Sequence, residues 1–306
     1  MINRFDQIIA AARAGLPRKL AVAAAQDPEV LRAVRDAKQL GIADAILVGD
    51  SEGIRRVAQE QQIDIGLFEL IDAPDNTQAC SRAVALVARG EAQIVMKGLV
   101  DTALLLKAVL DKEAGLRTAN VLSHVALTDA GGYGRLIYIT DAAMNIAPDV
   151  AVKRQIIENA VMIANTLGNR NPRVACVCAL EKVNPKMAAT LDAAKLAELN
   201  RNGALSGCIV GGPLALDNAV SIEAARHKRI ADPVAGNADI LLMPSIEAGN
   251  ALYKAISFFA RGNIAGIVAG AKAPVVLTSR ADSDAAKLNS IAVAVLLANQ
   301  NSGALA

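Results

Sequence analysis

The alternation of short apolar runs with longer amphipathic segments constrains the fold more than any other feature of this sequence. Residues 19–25 predict a strand, and Asp27-Pro28-Glu29 then supplies the cap, the proline and the acid that typically open a helix. Residues 45–50 predict the next strand, and the short connections indicate a parallel sheet. Because the alternation continues along the chain without an internal repeat, we expect an α/β fold.

The charge balance and the composition exclude several classes of function. With 32 basic and 30 acidic residues, the net charge of +2 gives no electrostatic footprint for a nucleic acid. Aromatic residues make up 2% of the chain and Trp is absent, so stacking platforms for bases are not expected. No run of about 18 uncharged apolar residues predicts a membrane span, and no signal-peptide core is present. We therefore expect a soluble cytoplasmic protein that binds neither nucleic acid nor membrane.

The sequence predicts no metal site and no bound cofactor. The four cysteines are not spaced as metal ligands, and the chain has only 2 histidines. Cys176 and Cys178 alternate with apolar residues in a predicted buried strand, where a free cysteine acts as a small hydrophobe. Neither the G-x-x-x-x-G-K-[ST] motif nor a strand-bound G-x-G-x-x-G motif occurs, which argues against nucleotide hydrolysis and a dinucleotide site.

Residues 274–283 (PVVLTSRADS) carry the first candidate anion site. A short buried strand precedes Ser279 and Arg280, and a helix is predicted from Asp284 through Leu297. The carboxyl end of a strand and the start of a helix are places where anions bind, and arginine matches phosphate with a planar donor. The alternative is that Ser279 only caps the helix and that Arg280 pairs with Asp282 or Asp284.

Two further strand ends carry polar residues of the same kind. The strand at residues 92–96 leads to Lys97 and Gly98, where a lysine could meet a phosphate and glycine permits close backbone approach. The strand at residues 135–141 ends in Asp141. Lys97, Asp141 and Arg280 therefore form a set at predicted strand ends, although a solvated surface lysine is an equal alternative for Lys97.

Six stretches in a fixed order resemble the phosphate acetyltransferase / phosphate butyryltransferase family. They are residues 96–102 (MKGLVDT), 140–145 (TDAAMN), 212–217 (GPLALD), 232–239 (DPVAGNAD), 244–250 (PSIEAGN) and 277–282 (LTSRAD). Any one of them alone is a weak signal, but together they span nearly the whole chain. The resemblance is closer to the butyryltransferase branch.

This resemblance implies a fold, an activity and a substrate set. The fold would be two α/β domains around a cleft, as in isocitrate and isopropylmalate dehydrogenases. We place the first domain at residues 1–137 plus 272–306 and the second at 138–271. The implied reaction is acyl-CoA plus inorganic phosphate to acyl phosphate plus coenzyme A. Coenzyme A would be a substrate, and the family implies a homo-oligomer.

The candidate site residues follow from the strand ends and the matched stretches. We assign Ser279, Arg280 and Asp141 as catalytic. The candidate substrate-binding residues are Lys97, Gly98, Thr102, Arg135, Gly212, Pro213, Asp217 and Asp284. One departure concerns the carboxylate that the acetyltransferase branch carries a few residues past its Ser-Arg pair. Ala286 stands at that position, with Asp282 and Asp284 nearby, so the sequence identifies no general base.

Other functions stay open at this point. Phosphate acetyl transfer is the first alternative, because the residues that line the acyl pocket are not readable from the sequence. A non-catalytic binder of CoA esters or phosphate is the second. A dehydrogenase on the same fold is a third, although the metal-binding aspartates and the nicotinamide loop that it needs are not seen.

Overall fold

The protein is described here as a computed structural model that covers residues 1–113, 115–129 and 133–303. It divides into two compact units. The terminal unit comprises Phe5–Asn120 and the chain from Ala265 onward, and the middle unit comprises Met1–Arg4 and Val121–Ile264. The two predicted domains, with bounds at residues 137 and 271, stay a prediction.

Strands and helices alternate along most of the described chain, but two pairs of strands and one pair of helices follow each other directly, against the predicted alternation. The strands are β1 (Arg18–Ala23), β2 (Ala43–Gly49), β3 (Glu69–Asp72), β4 (Ile94–Lys97), β5 (Ser123–Thr128), β6 (Ile137–Thr140), β7 (Arg173–Val177), β8 (Ile209–Leu214), β9 (Ile240–Leu242), β10 (Ile264–Ala269) and β11 (Val275–Val276). The helices are α1 (Phe5–Ala14), α2 (Pro28–Gln39), α3 (Ser51–Glu60), α4 (Asn76–Ala88), α5 (Thr102–Val109), α6 (Val150–Thr166), α7 (Ala188–Arg201), α8 (Leu216–Val220), α9 (Ile222–His227), α10 (Ile246–Phe258) and α11 (Asp284–Gly303). The α/β class is confirmed.

The strand order in the terminal unit is β3-β2-β1-β4-β11-β10. β1 pairs in parallel with β2 and with β4, and β4 pairs in parallel with β11. Because these strands run in the same direction, their carboxyl ends and the loops that follow them lie at one edge of the sheet. That edge carries the residues after β1, β4 and β11.

In the middle unit the strand order is β5-β6-β9-β7-β8. The pairs β6–β9, β9–β7 and β7–β8 are parallel, whereas β5 and β6 are antiparallel. β10 and β11 of the terminal unit are also antiparallel. The predicted parallel pairing is thus present in both units, alongside these two antiparallel pairs. Residues 129–136 and 270–274 join these pairs, and they are too few for the crossover that a parallel pair requires.

Local sequence signals account for the entry into α2. Asp27 is its N-cap, and the side chain accepts a hydrogen bond from Val30 N at 2.9 Å. Pro28 occupies the first helical position, where its missing N–H costs nothing. The predicted helix start is confirmed.

The Gly-Gly-Pro segment at residues 211–213 lies within β8. Gly211 is needed there because a Cβ atom would come within 2.1 Å of Asp232 Oδ1. The glycine thus admits the Asp232 carboxylate against the strand rather than reversing the chain.

None of the described helices is both long and apolar enough to cross a lipid bilayer.

Gly98 is expected to be essential for packing in the terminal unit. A Cβ at this position would lie 2.1 Å from Ala24 O, while Gly98 N and Leu99 N donate to Ala23 O and Ala24 O at 2.8 and 2.7 Å. Because backbone on both sides is held by these bonds, Gly98→Ala should lower the free energy of unfolding by at least about 1–3 kcal/mol, the usual cost of overpacking. Urea denaturation measures it.

The matched control is Gly66→Ala, at an exposed glycine whose added Cβ would meet only the Asp64 side chain at 3.1 Å. A flexible carboxylate can move away, so this variant should stay close to wild-type stability. Equal stability of the two variants would contradict the role given to Gly98.

Candidate active site

The predicted site residues fall into two sets, one in each unit. Lys97, Gly98, Thr102, Ser279, Arg280 and Asp284 belong to the terminal unit, and Asp141, Arg135, Gly212, Pro213 and Asp217 belong to the middle unit. In the terminal unit, the loops after β4 and β11 bring Lys97 and Arg280 to the same sheet edge. The structure therefore assembles a cationic pair from parts of the chain that are far apart in sequence.

Lys97 is a buried cation. It is the last residue of β4, only 5% exposed, and its Nζ donates to Gly98 O and Val100 O at 3.2 Å each. Burial lowers the pKa of the Lys97 amine, and the positive charges of Arg280 and Lys287 lower it further. In the described part of the chain, no carboxylate oxygen lies within 4.0 Å of this ammonium. A solvated surface lysine is therefore excluded.

The close approach that Gly98 permits is to protein backbone. A side chain here would collide with Ala24 O, so the loops after β1 and β4 pack directly on each other. Thr102 is the first residue of α5, behind the N-cap Asp101. Contact of Gly98 or Thr102 with a substrate stays a prediction.

The Ser279–Arg280 segment is a loop rather than a helix cap. Ser279 N donates to Asp282 Oδ2 at 2.7 Å, and Asp282 N donates to Ser279 O at 3.2 Å. α11 begins at Asp284, and Ser283 caps it by accepting from Ala286 N at 3.2 Å. The alternative in which Ser279 caps the helix is therefore wrong. Its hydroxyl accepts only a long bond of 3.4 Å from Ala281 N and keeps its own hydrogen to donate.

Arg280 pairs with a residue that the sequence did not indicate. Its guanidinium bonds the Asp101 carboxylate, so the expected alternatives, Asp282 and Asp284, are not its partners. Both side chains are exposed, at 57% for Arg280 and 74% for Asp101. Exposed pairs contribute about 0–1 kcal/mol, so an incoming anion can displace Asp101 from Arg280 at little cost.

Asp284, the first residue of α11, accepts a hydrogen bond from Arg32 Nε at 3.0 Å. Ala286, where a carboxylate was sought, is buried. Sequence reasoning missed Lys287, which is buried in the first turn of α11. A lysine within an otherwise apolar helix face was the available signal.

In the middle unit, Asp141 organises its own loop. Oδ1 accepts from Ala143 N and Met144 N at 2.9 and 3.1 Å, and Oδ2 accepts from Asn145 N and Asn145 Nδ2 at 3.1 and 2.5 Å. Gly249 packs against this loop, since a Cβ there would lie 2.2 Å from Asp141 O. Both carboxylate oxygens are thus engaged, and two of the matched sequence stretches, 140–145 and 244–250, meet here.

The other candidates of the middle unit also have structural partners. Arg135 bonds the Asp239 carboxylate and donates to Ala238 O at 3.1 Å. Gly212 N donates to Asp232 Oδ2 at 3.0 Å, and Pro213 follows it within β8. Asp217 pairs with Lys228 at 3.2 Å, and Lys228 in turn pairs with Glu181 at 2.6 Å. These contacts give each of the residues a role in the folded middle unit. Contact of any of them with a substrate stays a prediction.

Comparison with known proteins identifies related sequences and folds. The model of the family described as phosphate acetyl/butaryl transferase matches residues 4–82 and 73–295. A phosphate butyryltransferase of Clostridium acetobutylicum is 50% identical over 298 residues, which cover 97% of this chain and 99% of that protein. A phosphate acetyltransferase of Rhizobium meliloti is 43% identical over 296 residues, 97% of this chain and 94% of that protein.

Among solved structures, a branched-chain phosphotransacylase from Enterococcus faecalis V583 is similar, with a TM-score of 0.81 and 36% sequence identity. The match covers 92% of this chain and 99% of that one. The strand and helix arrangement described above is therefore that of a phosphotransacylase.

The burial of Lys97 makes a prediction about stability and pH. Because its pKa is below the ordinary 10.5 when the chain is folded, the unfolded chain binds the proton more tightly, and stability should rise as pH increases toward 10.5. The Lys97→Met variant has no amine at this position and therefore lacks this rise of stability with pH. The free energy of unfolding of wild type, minus that of the variant, should be larger at about pH 10 than at about pH 7 in urea denaturation.

Lys186→Met is the control, because Lys186 is exposed and keeps its hydration on folding. Its difference from wild type should not change between the two pH values. A difference for Lys97→Met that is equally constant would show that the folded chain does not penalise the charge.

Proposed function

The chain belongs to the phosphate acetyl/butyryl transferase family, and we propose that the sheet edge carrying Lys97, Ser279 and Arg280 is its phosphate site. The protein is a phosphate acyltransferase that exchanges an acyl group between coenzyme A and inorganic phosphate. Acyl-CoA plus phosphate gives acyl phosphate plus coenzyme A, and the reaction runs in both directions.

The chemistry demands positioning more than proton transfer. Phosphate is an anionic nucleophile near neutral pH, and a thiol that ionises near pH ~8.5 makes the CoA thiolate a tolerable leaving group. A phosphate oxygen attacks the thioester carbonyl, the carbonyl oxygen gains charge, and the carbon–sulfur bond then breaks with its electrons on sulfur. The site must hold a dianion beside the thioester and donate to the oxyanion.

The observation that carries the proposal is the meeting of Lys97 and Arg280 at one sheet edge. Lys97 is a buried ammonium bonded only to carbonyls in the described chain, and Arg280 is an exposed guanidinium with an easily displaced partner. Phosphate would accept hydrogen bonds from the planar Arg280 guanidinium and would be attracted by the positive charge of Lys97. The Ser279 hydroxyl would donate a hydrogen bond to the developing oxyanion.

Asp141 is proposed to act through its loop. Since both carboxylate oxygens are occupied by N–H donors of residues 143–145, its contacts support a positioning role for the loop rather than proton transfer. Arg135, Gly212, Pro213 and Asp217 stay proposed substrate-binding residues of the middle unit. With Ala286 in place of a carboxylate, we propose that attack by coenzyme A in the reverse direction starts from its thiolate and needs no dedicated base at that position.

The domain arrangement, the cofactor requirement, the oligomeric state and the cellular location are also proposals. The family resemblance supports two α/β domains of the isocitrate/isopropylmalate dehydrogenase kind. The return of the last segment to the unit of the first strands agrees with that proposal. Catalysis without a bound cofactor, a homo-oligomeric state and a cytoplasmic location are expected as well. Light scattering and cell fractionation test the last two.

Butyryl-CoA is expected to be a better substrate than acetyl-CoA. The chain shares 50% identity with a phosphate butyryltransferase and 43% with a phosphate acetyltransferase, which favours the longer acyl group. One methylene is worth about 1–3 kcal/mol in an apolar pocket, so kcat/KM should differ at least about tenfold. Phosphate-dependent thiol release from acetyl-, propionyl-, butyryl- and octanoyl-CoA measures it. A clear acetyl optimum would reverse the preference but not the reaction.

Arg280→Ala is expected to lower kcat by about 10²–10³, the usual effect of removing one donor to a developing charge. Arg280→Lys should recover little, because the planar fork is lost. Ser279→Ala should lose less, since its hydroxyl is one donor among several.

The control is Arg226→Ala, at an exposed arginine of α9 in the middle unit, which should leave kcat unchanged. Both Arg280 variants should fold, because β11 and α11 supply the buried surface on either side of the loop. An Arg280→Ala enzyme that stays folded and keeps more than about a tenth of wild-type kcat/KM would remove Arg280 from the site.

A further inference from the structure

Lys287 is a buried lysine next to the proposed phosphate site. It lies in the first turn of α11 and is only 2% exposed. Its Nζ donates to Asp282 O at 2.6 Å. As with Lys97, no carboxylate oxygen lies within 4.0 Å of the ammonium in the part of the chain that the structure describes.

Asp282 connects this lysine to Ser279. The backbone carbonyl of Asp282 accepts from Lys287 Nζ, while its carboxylate accepts from Ser279 N at 2.7 Å. The backbone N–H of Asp282 also donates to Ser279 O at 3.2 Å. Asp282 is therefore fixed to α11 through its backbone carbonyl and fixes the Ser279–Arg280 loop through its carboxylate.

Charged groups at the start of α2, on β4 and around the start of α11 act on Lys287. Asp27 and Glu29 at the start of α2, together with Asp282 and Asp284, favour its protonated form, and Lys97 of β4 lies near enough for mutual repulsion. Arg280, on the same loop, repels Lys97 in turn. Burial outweighs the carboxylates and lowers the pKa of the Lys287 amine.

The fold does not require a cation at this position. Helix α11 is otherwise anchored by buried apolar residues such as Ile291 and Val295. Replacing a buried charge by an apolar side chain of similar volume is often neutral or stabilising, so a buried ammonium needs another explanation than stability. Its contact with the catalytic loop supplies one.

We propose that Lys287 is a positioning residue of the phosphate site, which holds Ser279 and Arg280 in place through Asp282 and acts only when its amine is protonated. This inference rests on the proposed function of that loop. The charged amine gives a strong hydrogen bond to the Asp282 carbonyl and so fixes the residue whose carboxylate holds Ser279 N. The neutral amine weakens the bond to the carbonyl, and the loop then loses its alignment to phosphate and oxyanion.

Lys287→Met and Lys287→Gln test this proposal. Met removes the donor and the charge at similar volume, and Gln keeps a donor without the charge. Both should lower kcat at least about tenfold and raise the KM for phosphate, while the KM for acyl-CoA stays within about twofold, because the loop acts on phosphate and the transition state.

The pH profile separates positioning from packing. In the wild type, kcat/KM should fall at alkaline pH as Lys287 loses its proton. In both variants that limb should move up by at least about half a pH unit, because Lys287 no longer titrates. Loss of its repulsion on Lys97 alone would move the limb without the tenfold loss of kcat, so the positioning role requires both changes.

Lys153→Met is the matched control. Lys153 is also buried, but it pairs with Asp192 in the middle unit at 2.6 Å. It should lose stability without a change in the KM for phosphate or in the alkaline limb. Loss of activity equal to that of Lys287→Met would overturn the proposal, and so would a Lys287→Met enzyme with kcat within about twofold of wild type and an unmoved limb. If Met prevents folding, the Gln variant decides by the same criteria. A wild type without phosphate-dependent thiol release would instead refute the proposed function.

Discussion

The parallel pairing of β1, β4 and β11 is the constraint on which the proposed site depends. It places the ends of three strands at one edge of the sheet, although residues 23, 97 and 276 are far apart along the chain. Strand pairing, and not proximity in sequence, therefore brings Lys97 to the Ser279–Arg280 loop. The antiparallel return of β10 to β11 makes this possible, because a five-residue connection (270–274) delivers the last strand beside β4 in the required direction.

Buried cations distinguish this edge from the rest of the described terminal unit. Lys97 and Lys287 have their ammonium groups on backbone carbonyls, and their charges act on each other. Asp27 and Asp282 reduce the resulting potential but are bonded elsewhere, to Val30 N and Ser279 N. Such an arrangement is costly for an empty site and favourable for one that receives a dianion. In the proposed phosphate site, stability would thus be balanced against anion affinity.

Local signals predicted more of the molecule than long-range contacts did. Asp27 and Pro28 were readable as a helix start because capping involves neighbouring residues only. Hydrophobic periodicity predicted the strand end at Lys97, whereas β11 ends at Val276, short of Ser279. The Arg280–Asp101 pair and the Lys287–Asp282 contact were not, since strand register and loop conformation decide them. Even the role of Gly98 changed, because the sequence does not reveal that the backbone beside it is that of Ala24.

The contact between Gly98 and Ala24 has a consequence for ligand binding. Two hydrogen bonds and a separation that excludes even a methyl group fasten the loops after β1 and β4 to each other. Their conformational entropy is lost when the chain folds, before any substrate arrives. The free energy of phosphate binding then needs to order only the remaining loop and its side chains. This part of the proposed site is preorganised, so adaptation to different acyl groups would have to come from elsewhere in the protein.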